Sequence, residues 1–372
     1  MDSKKHPISH FSVNYLKKTT QSENFFFSPA SIYLSLSMAA CGSEQQTLKE
    51  FKEVLTYQNN IELGQLIGSL NTLLMASSQQ FSILSANKIY TGVSGITQNC
   101  KQFIENNFNT GFEQVNFTET ESVRLAINKW VSKQTRTKID ELLKKDTIND
   151  RTRMVLVNAL YLKAEWLYQF ETAQDHQFYL QPGNEQSIVI TKMMYKEAEY
   201  KYGKYDSFEY IQLPYKNEAY VMEVLLPITN LSDLENSITE EEIIRAQKVS
   251  KKSNVRLLLP KFKMGGASQS VANILKQLGV QEAFTNKANF KQFSQAEPLF
   301  ISDVIHSANI DVNEKGTEAV AATAVCMSKK SCINKIKFQE FICNKPFIFT
   351  ISHIPSNTIL FLGRFCIPQK EI

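Results

Sequence analysis

The stretch FQEFICNKPFIFTISHIPSNTILFLGRFCIP, Phe338 to Pro368, decides the fold. PFIFTI and TILFLGRF are short runs rich in β-branched and aromatic residues, and SHIPSN between them carries turn residues, so the segment reads strand, turn, strand. The same texture recurs upstream in MVLVNALYL (154–162), FEYIQLPY (208–215), AYVMEVLLP (219–227) and NVRLLLPKF (254–262). The first third differs. Apolar residues at helical spacing predict helices over 11–18, 31–40, 47–55 and 123–143, the last with Val123, Ile127, Trp130 and Val131 on one face and Ser122 as its cap; a late helix follows over 268–278. Helices first and strands after make an α+β pattern with largely antiparallel sheets, rather than the regular alternation of a wound parallel fold.

No repeat and no Gly/Ser-rich or Pro-rich linker divides the 372 residues, so one interwoven domain over 1–372 is expected. Lys and Arg number 41 against 37 Asp and Glu, a net +4 that points to no nucleic-acid partner and no membrane. Six cysteines without a CxxC read as free thiols. The opening MDSKKHPISHFSVNYLKK has no apolar secretory core, and Phe25 to Cys41, with Pro29 and four serines, reads as a buried turn and helix rather than a span. Two locations stay open: the cytoplasm, or an extracellular site reached without a classical signal peptide. Asn116 in NFT and Asn230 in NLS would be glycan acceptors only on the secretory route.

The chemistry of catalysis is not visible. The chain has no GxSxG, HExxH, GxGxxG after a strand or GxxxxGK[ST], and its five histidines (His6, His10, His176, His306, His353) show no metal-ligand spacing. Neither an enzyme nor a cofactor or metal site is expected. Two polar residues stand inside runs suited to buried strands, Asn158 in MVLVNALYL and His306 in LFISDVIHSANIDV. Burial without a partner would cost each about 1–3 kcal/mol, so each is satisfied by nearby backbone or they bond each other.

The segment EKGTEAVAATAVCMSKKS, Glu314 to Ser331, is a run of small residues closed by two lysines and lacks any core-making pattern. With the strand pair after it, it closely resembles the serpin family. FFSPASIYLSLSMAACG, LAINKWVSKQTRTKIDELL, TRMVLVNALYLKAEW, YIQLPY, LLPKFKM and LKQLGVQEAF extend that resemblance over almost the whole chain, in family order. It implies three β-sheets, about nine α-helices and an exposed reactive-centre loop, here about 314–336. It also implies inhibition of serine, and sometimes cysteine, proteases by loop cleavage and insertion into the main sheet. The matching residues are a hinge of Glu314, Lys315, Gly316, Thr317, Glu318, Ala319, Ala321, Ala322 and Thr323; a buried shutter of Ser28, Ser31, Asn158 and His306; and the breach aromatic Trp166. Counting seventeen residues from Glu314, as loops of this family are counted, puts the scissile bond at Lys330–Ser331, with Lys329 as the fallback residue. A lysine there suits a trypsin-like protease, held as a 1:1 covalent complex with a monomeric inhibitor. Ala164 and the GSEQQT turn depart from the usual family residues, and Val320 is bulkier than the usual Ala, which slows insertion. FQEFICNKPF and the missing signal resemble the intracellular, ovalbumin-like branch. Ser77 to Ile89 holds only Lys88, so no glycosaminoglycan site is indicated. A non-inhibitory serpin with a carrier, chaperone or storage role is the competing expectation.

Overall fold

The computed structural model describes residues 6–20, 22–93, 97–108, 111–266, 268–295, 298–317 and 337–369. Nine α-helices and two hydrogen-bonded sheets lie among them, an α+β architecture. The helix Pro29–Gly42 starts where Ser28 accepts from the Ser31 N–H at 3.2 Å, with Pro29 supplying the preset φ of a first helical residue. It is buried on every side except at Cys41, which is why its sequence shows no polar face. The helix Glu240–Val249 begins in a capping box between Thr239 and Glu242.

Several elements went unread in the sequence, among them the helices Asn60–Leu74 and Gln98–Phe108 and the strands Phe81–Thr91 and Ile188–Lys204. The helix expected over 123–143 runs only from Thr120 to Gln134. Ser122 falls inside it, because the 3-10 turn Phe117–Glu119, capped by Asn116, already starts the winding. It stops where Arg136 and Thr137 adopt φ of 50° and 61°. The Asn128 side chain then accepts from the Leu142 and Leu143 N–H groups at 3.0 and 2.8 Å, folding the next segment back along the helix. Leu142 and Leu143 thereby join Val123, Ile127 and Val131 in a small core against Tyr90, Val155, Val157 and Ile305 of the sheet below.

The nine-stranded sheet runs Phe25–Phe27, Thr358–Phe365, Phe347–His353, Tyr220–Pro227, Phe208–Pro214, Ile188–Lys204, Lys251–Pro260, Gln339–Ile342, with Gln174–Tyr179 also on Ile188–Lys204. Ile188–Lys204 pairs at its start with Gln174–Tyr179 and at its end with Phe208–Pro214, so this single strand joins two of the expected sheets into one hydrogen-bonded path. The seven-stranded sheet decides the rest. At its centre Met154–Glu165 and Asp303–Asn313 run parallel, from Asp303 opposite Val155 to Asn309 opposite Tyr161. Their outer neighbours, Phe81–Thr91 and Phe262–Gly265, are antiparallel to them.

Arg364 locks the C-terminal strand to the N-terminal elements. Its fully buried guanidinium donates to Glu235 at 2.6 Å, to the Glu23 carbonyl at 2.9 Å and to Thr19 Oγ1 at 3.2 Å, and also to the Thr20 carbonyl. Glu235→Ala would strand that cation, so urea unfolding should show a loss of about 3–5 kcal/mol, whereas Glu235→Leu combined with Arg364→Met should lose far less.

Candidate functional site

Beyond Asn309 the two parallel strands part, and the chain turns back between them. Asp303–Asn313 ends in a turn at Glu314 and Lys315, and Gly316–Thr317 then lies in the gap, antiparallel to both neighbours, with Thr317 opposite Val312 and Ala164. Only glycine passes the first position, since a Cβ on Gly316 would sit 2.0 Å from the Ala164 carbonyl oxygen and 2.8 Å from Glu165 Cα. The Thr317 side chain is fully buried and shares a 2.7 Å hydrogen bond with the Tyr215 hydroxyl.

Trp166 roofs this entrance. Its ring stacks on Tyr215 with centroids 4.6 Å apart and planes 8° from parallel. Its Nε1–H donates to the Asn313 carbonyl at 2.9 Å, and its backbone N–H to the Lys315 carbonyl at 2.9 Å. Glu314 is braced from outside: its carboxylate meets Lys261 Nζ at 3.3 Å and accepts from the Ala173 N–H at 3.4 Å, while its carbonyl accepts from the Phe170 N–H. The turn, its roof and its brace hold the chain poised at the mouth of the parallel pair.

Six residues farther along, where the two strands are still paired in parallel, stands the polar cluster. His306 and Asn158 are register partners, and Asn87 on Phe81–Thr91 is the register partner of Asn158. All three side chains point to the face covered by the helix Pro29–Gly42. His306 Nε2 accepts from the Ser28 N–H at 3.1 Å, so the proton sits on Nδ1 and is donated to Asn158 Oδ1. Asn158 Nδ2 donates to Asn87 Oδ1 at 2.7 Å and to Ser35 Oγ at 3.0 Å; Ser31 and Ser35 donate to Asn87 Oδ1 as well, at 3.0 and 3.3 Å. Ser28 Oγ donates to the Leu360 carbonyl, tying the cluster to the second sheet. Of the two readings open for Asn158 and His306, the structure brings the pair into contact. Reading the sequence missed Asn87, Ser35, Tyr215 and Lys261. The alternating pattern of FSILSANKIYT was the available signal for Asn87; the other three show theirs only once folded.

Glu314, Gly316, Thr317 and Trp166 thus lie where the two parallel strands part, and Ser28, Ser31, Asn158 and His306 lie together farther along the same strands. Glu318, Ala319, Ala321, Ala322, Thr323, Lys329, Lys330 and Ser331 lie outside the described residues. Among the described residues no group of three or more His, Cys, Asp or Glu is placed to hold a metal, and Cys41, Cys100, Cys343 and Cys366 are free thiols.

Complete burial pushes the His306 pKa from 6.5 down to about 3, so the ring is neutral in the folded protein. The unfolded chain therefore binds the extra proton first on acidification. Stability is fully present above the unfolded value near 6.5 and is lost as pH falls toward 3, by at most about 1.4 kcal/mol per pH unit. Burial lowers the His6 and His353 pKa values too, adding a loss of the same sign. The expected result is that His306→Gln, though weaker at neutral pH, has a flatter urea midpoint between about pH 6.5 and 4 than the unaltered chain.

Comparison with known proteins gives one answer. The family described as Serpin (serine protease inhibitor) matches residues 6–368. Serpin B8 of Homo sapiens is 32% identical over 371 residues, 97% of each chain, and the leukocyte elastase inhibitor of Bos taurus is 32% identical over 359 residues, 93% of each. Uncleaved ovalbumin superposes with a TM-score of 0.84 at 26% identity, covering 97% of this chain and 99% of its own; Serpin48 of Tenebrio molitor gives 0.83 at 27%, covering 98% and 97%. A match spanning nearly the whole length, with full-length relatives above 30% identity and the same fold, means that this chain belongs to the serpin family.

Proposed function

We propose that the chain inhibits a trypsin-like serine protease as a suicide substrate, cleaved between Lys330 and Ser331. The observation that carries this reading is the placement of Gly316–Thr317 between two parallel strands and antiparallel to both. A parallel pair flanked by antiparallel neighbours is a sheet with one strand missing. The chain has already begun to enter that gap.

In the proposed cycle the protease hydroxyl attacks the Lys330 carbonyl carbon, the C–N bond to Ser331 breaks, and the Ser331 amine leaves with the proton relayed by the protease. The lysine ammonium pairs with the acidic floor of the protease pocket. The freed end then follows Thr317 into the gap, carrying the acylated protease along. Continued in the register of Thr317 opposite Val312 and Ala164, the entering strand turns Ala319, Ala321, Thr323, Val325 and Met327 to the buried face. None is charged. Thr323 arrives level with His306 and Asn158, where its hydroxyl takes up the hydrogen bonds that the separated pair gives up. Two antiparallel ladders replace one parallel ladder, a net of about ten hydrogen bonds at roughly 1 kcal/mol each. The uncut protein is then kinetically trapped.

Incubation with trypsin tests the reading. Expected are an SDS-stable 1:1 complex and a released C-terminal peptide beginning at Ser331; a peptide beginning at Lys330 would move the bond to Lys329. Simple cleavage with no stable complex would make the protein a substrate and sink the proposal. Thr317→Arg buries a charge in the first inserted position, so it should leave cleavage intact and raise the inhibitor consumed per trapped protease about tenfold or more, measured by titration.

A further inference from the structure

Successive residues of the strand Phe81–Thr91 reach opposite faces of the seven-stranded sheet. Asn87 points to the helix Pro29–Gly42, so Lys88 and Tyr90 rise together on the other face, toward the helix Thr120–Gln134. There the Lys88 ammonium is caged. Its Nζ lies 4.2 Å from the centre of the Trp130 ring on that helix and 5.5 Å from the centre of the Tyr90 ring on its own strand. It also donates to Glu113 Oε2 of the edge strand Phe112–Gln114 at 2.9 Å. The two rings meet edge to face with centroids 6.2 Å apart, and they form two walls of the cage. Only 15% of the Lys88 side chain is exposed, so this cation has exchanged most of its water for the rings and the carboxylate, the condition under which a cation–π contact is strongest.

Beneath the same helix an opposing effect is built in. Tyr90 shares a small core with Val123, Ile127 and Val131 of the helix and with Leu142 and Leu143 of the segment folded back along it. Tyr90 is 2% exposed, and its hydroxyl, shut off from water, has no hydrogen-bond partner among the described residues. An orphaned hydroxyl is a cost that the closed arrangement carries and that vanishes when the helix lifts and water reaches the group. We propose that the helix Thr120–Gln134 is a lid with two positions, that Lys88 is the pin that holds it down through Trp130, and that the Tyr90 hydroxyl biases it toward lifting. Lys88 is a positioning residue: it acts on the helix through the ring that the helix carries, and through Glu113 it ties the edge strand to the same point. The proposal does not rest on the inhibitory reading and uses no residue of the reactive segment.

The test is hydrogen exchange read by mass spectrometry on the full-length protein at neutral pH without protease, comparing peptides from 112–134 with peptides from 208–227 in the other sheet. Lys88→Met keeps an apolar stem and removes the charge, so exchange in 112–134 should quicken about five- to tenfold while 208–227 stays unchanged. Lys88→Arg, whose guanidinium still stacks on an indole and pairs with a carboxylate, should stay within about twofold of the unaltered protein. Tyr90→Phe keeps the ring and deletes the orphaned hydroxyl, so it should slow exchange of the 112–134 peptides about three- to tenfold. Opposite signs from two side chains on one face of one strand are what a pinned and biased lid requires. Lys88→Met that leaves exchange in 112–134 unchanged, or that quickens both sets of peptides alike, would overturn the pin, as would Lys88→Arg behaving like Lys88→Met. Tyr90→Phe that exchanges no more slowly than the unaltered protein would overturn the bias.

Discussion

Two parallel strands share the middle of a sheet whose outer neighbours are antiparallel to them, and the rest of the molecule is arranged around that pair. A parallel ladder is slanted and slightly weaker per residue than an antiparallel one, and it offers a returning chain a place between its members. The Asn158 and His306 bond crosses the pair. Both groups are fully buried, so opening the sheet leaves each with unmet hydrogen-bonding capacity unless a new polar group arrives as they part. The cluster therefore opposes spontaneous opening of the pair, and in the proposed cycle an entering strand would bring its own hydroxyl to that level. Asn87 and the serines of Pro29–Gly42 widen that effect, because moving either central strand disturbs contacts to a third strand and to the helix below.

The entrance follows a different logic. Gly316 is required by backbone proximity, Thr317 by a buried hydroxyl that Tyr215 satisfies, and Trp166 by the need to cover the mouth while pairing the carbonyls of the turn. Lys261 pairs with Glu314 and sets where the turn begins. In front of the sheet, Leu142 and Leu143 pack with the helix Thr120–Gln134 over Val155, Val157 and Ile305. In the proposed cycle a strand entering below would lift or slide this apolar lid. The proposed cycle thus works against polar contacts on one face of the sheet and hydrophobic contacts on the other, consistent with a trap that stays set until the chain is cut.

Legibility in the sequence divided along physical lines. The strands MVLVNALYL, PFIFTI and TILFLGRF were readable because burial on both faces leaves continuous apolar runs, and the pattern of small residues from Ala319 to Ala324 was readable as a segment with no core of its own. Asn158 and His306 stood out as polar residues in such runs. The helix Gln98–Phe108 and the long strand Ile188–Lys204 were not readable, since each is half exposed and carries a mixed face. The overlong expectation of 123–143 failed because Asn128, well before the fold-back in the chain, captures Leu142 and Leu143 by contacts that periodicity does not contain.

The amino-acid order alone determined the α+β class, the family, the small-residue segment and the lysines at its end, since each depends on local pattern or on residues adjacent in the chain. Tertiary structure decided which polar groups meet: His306 with Ser28, 278 positions apart, Thr317 with Tyr215, 102 apart, and Arg256 with Glu340, 84 apart. Those pairings arise from strand register and sheet order, which are set by packing summed over the whole core rather than by any short window of sequence.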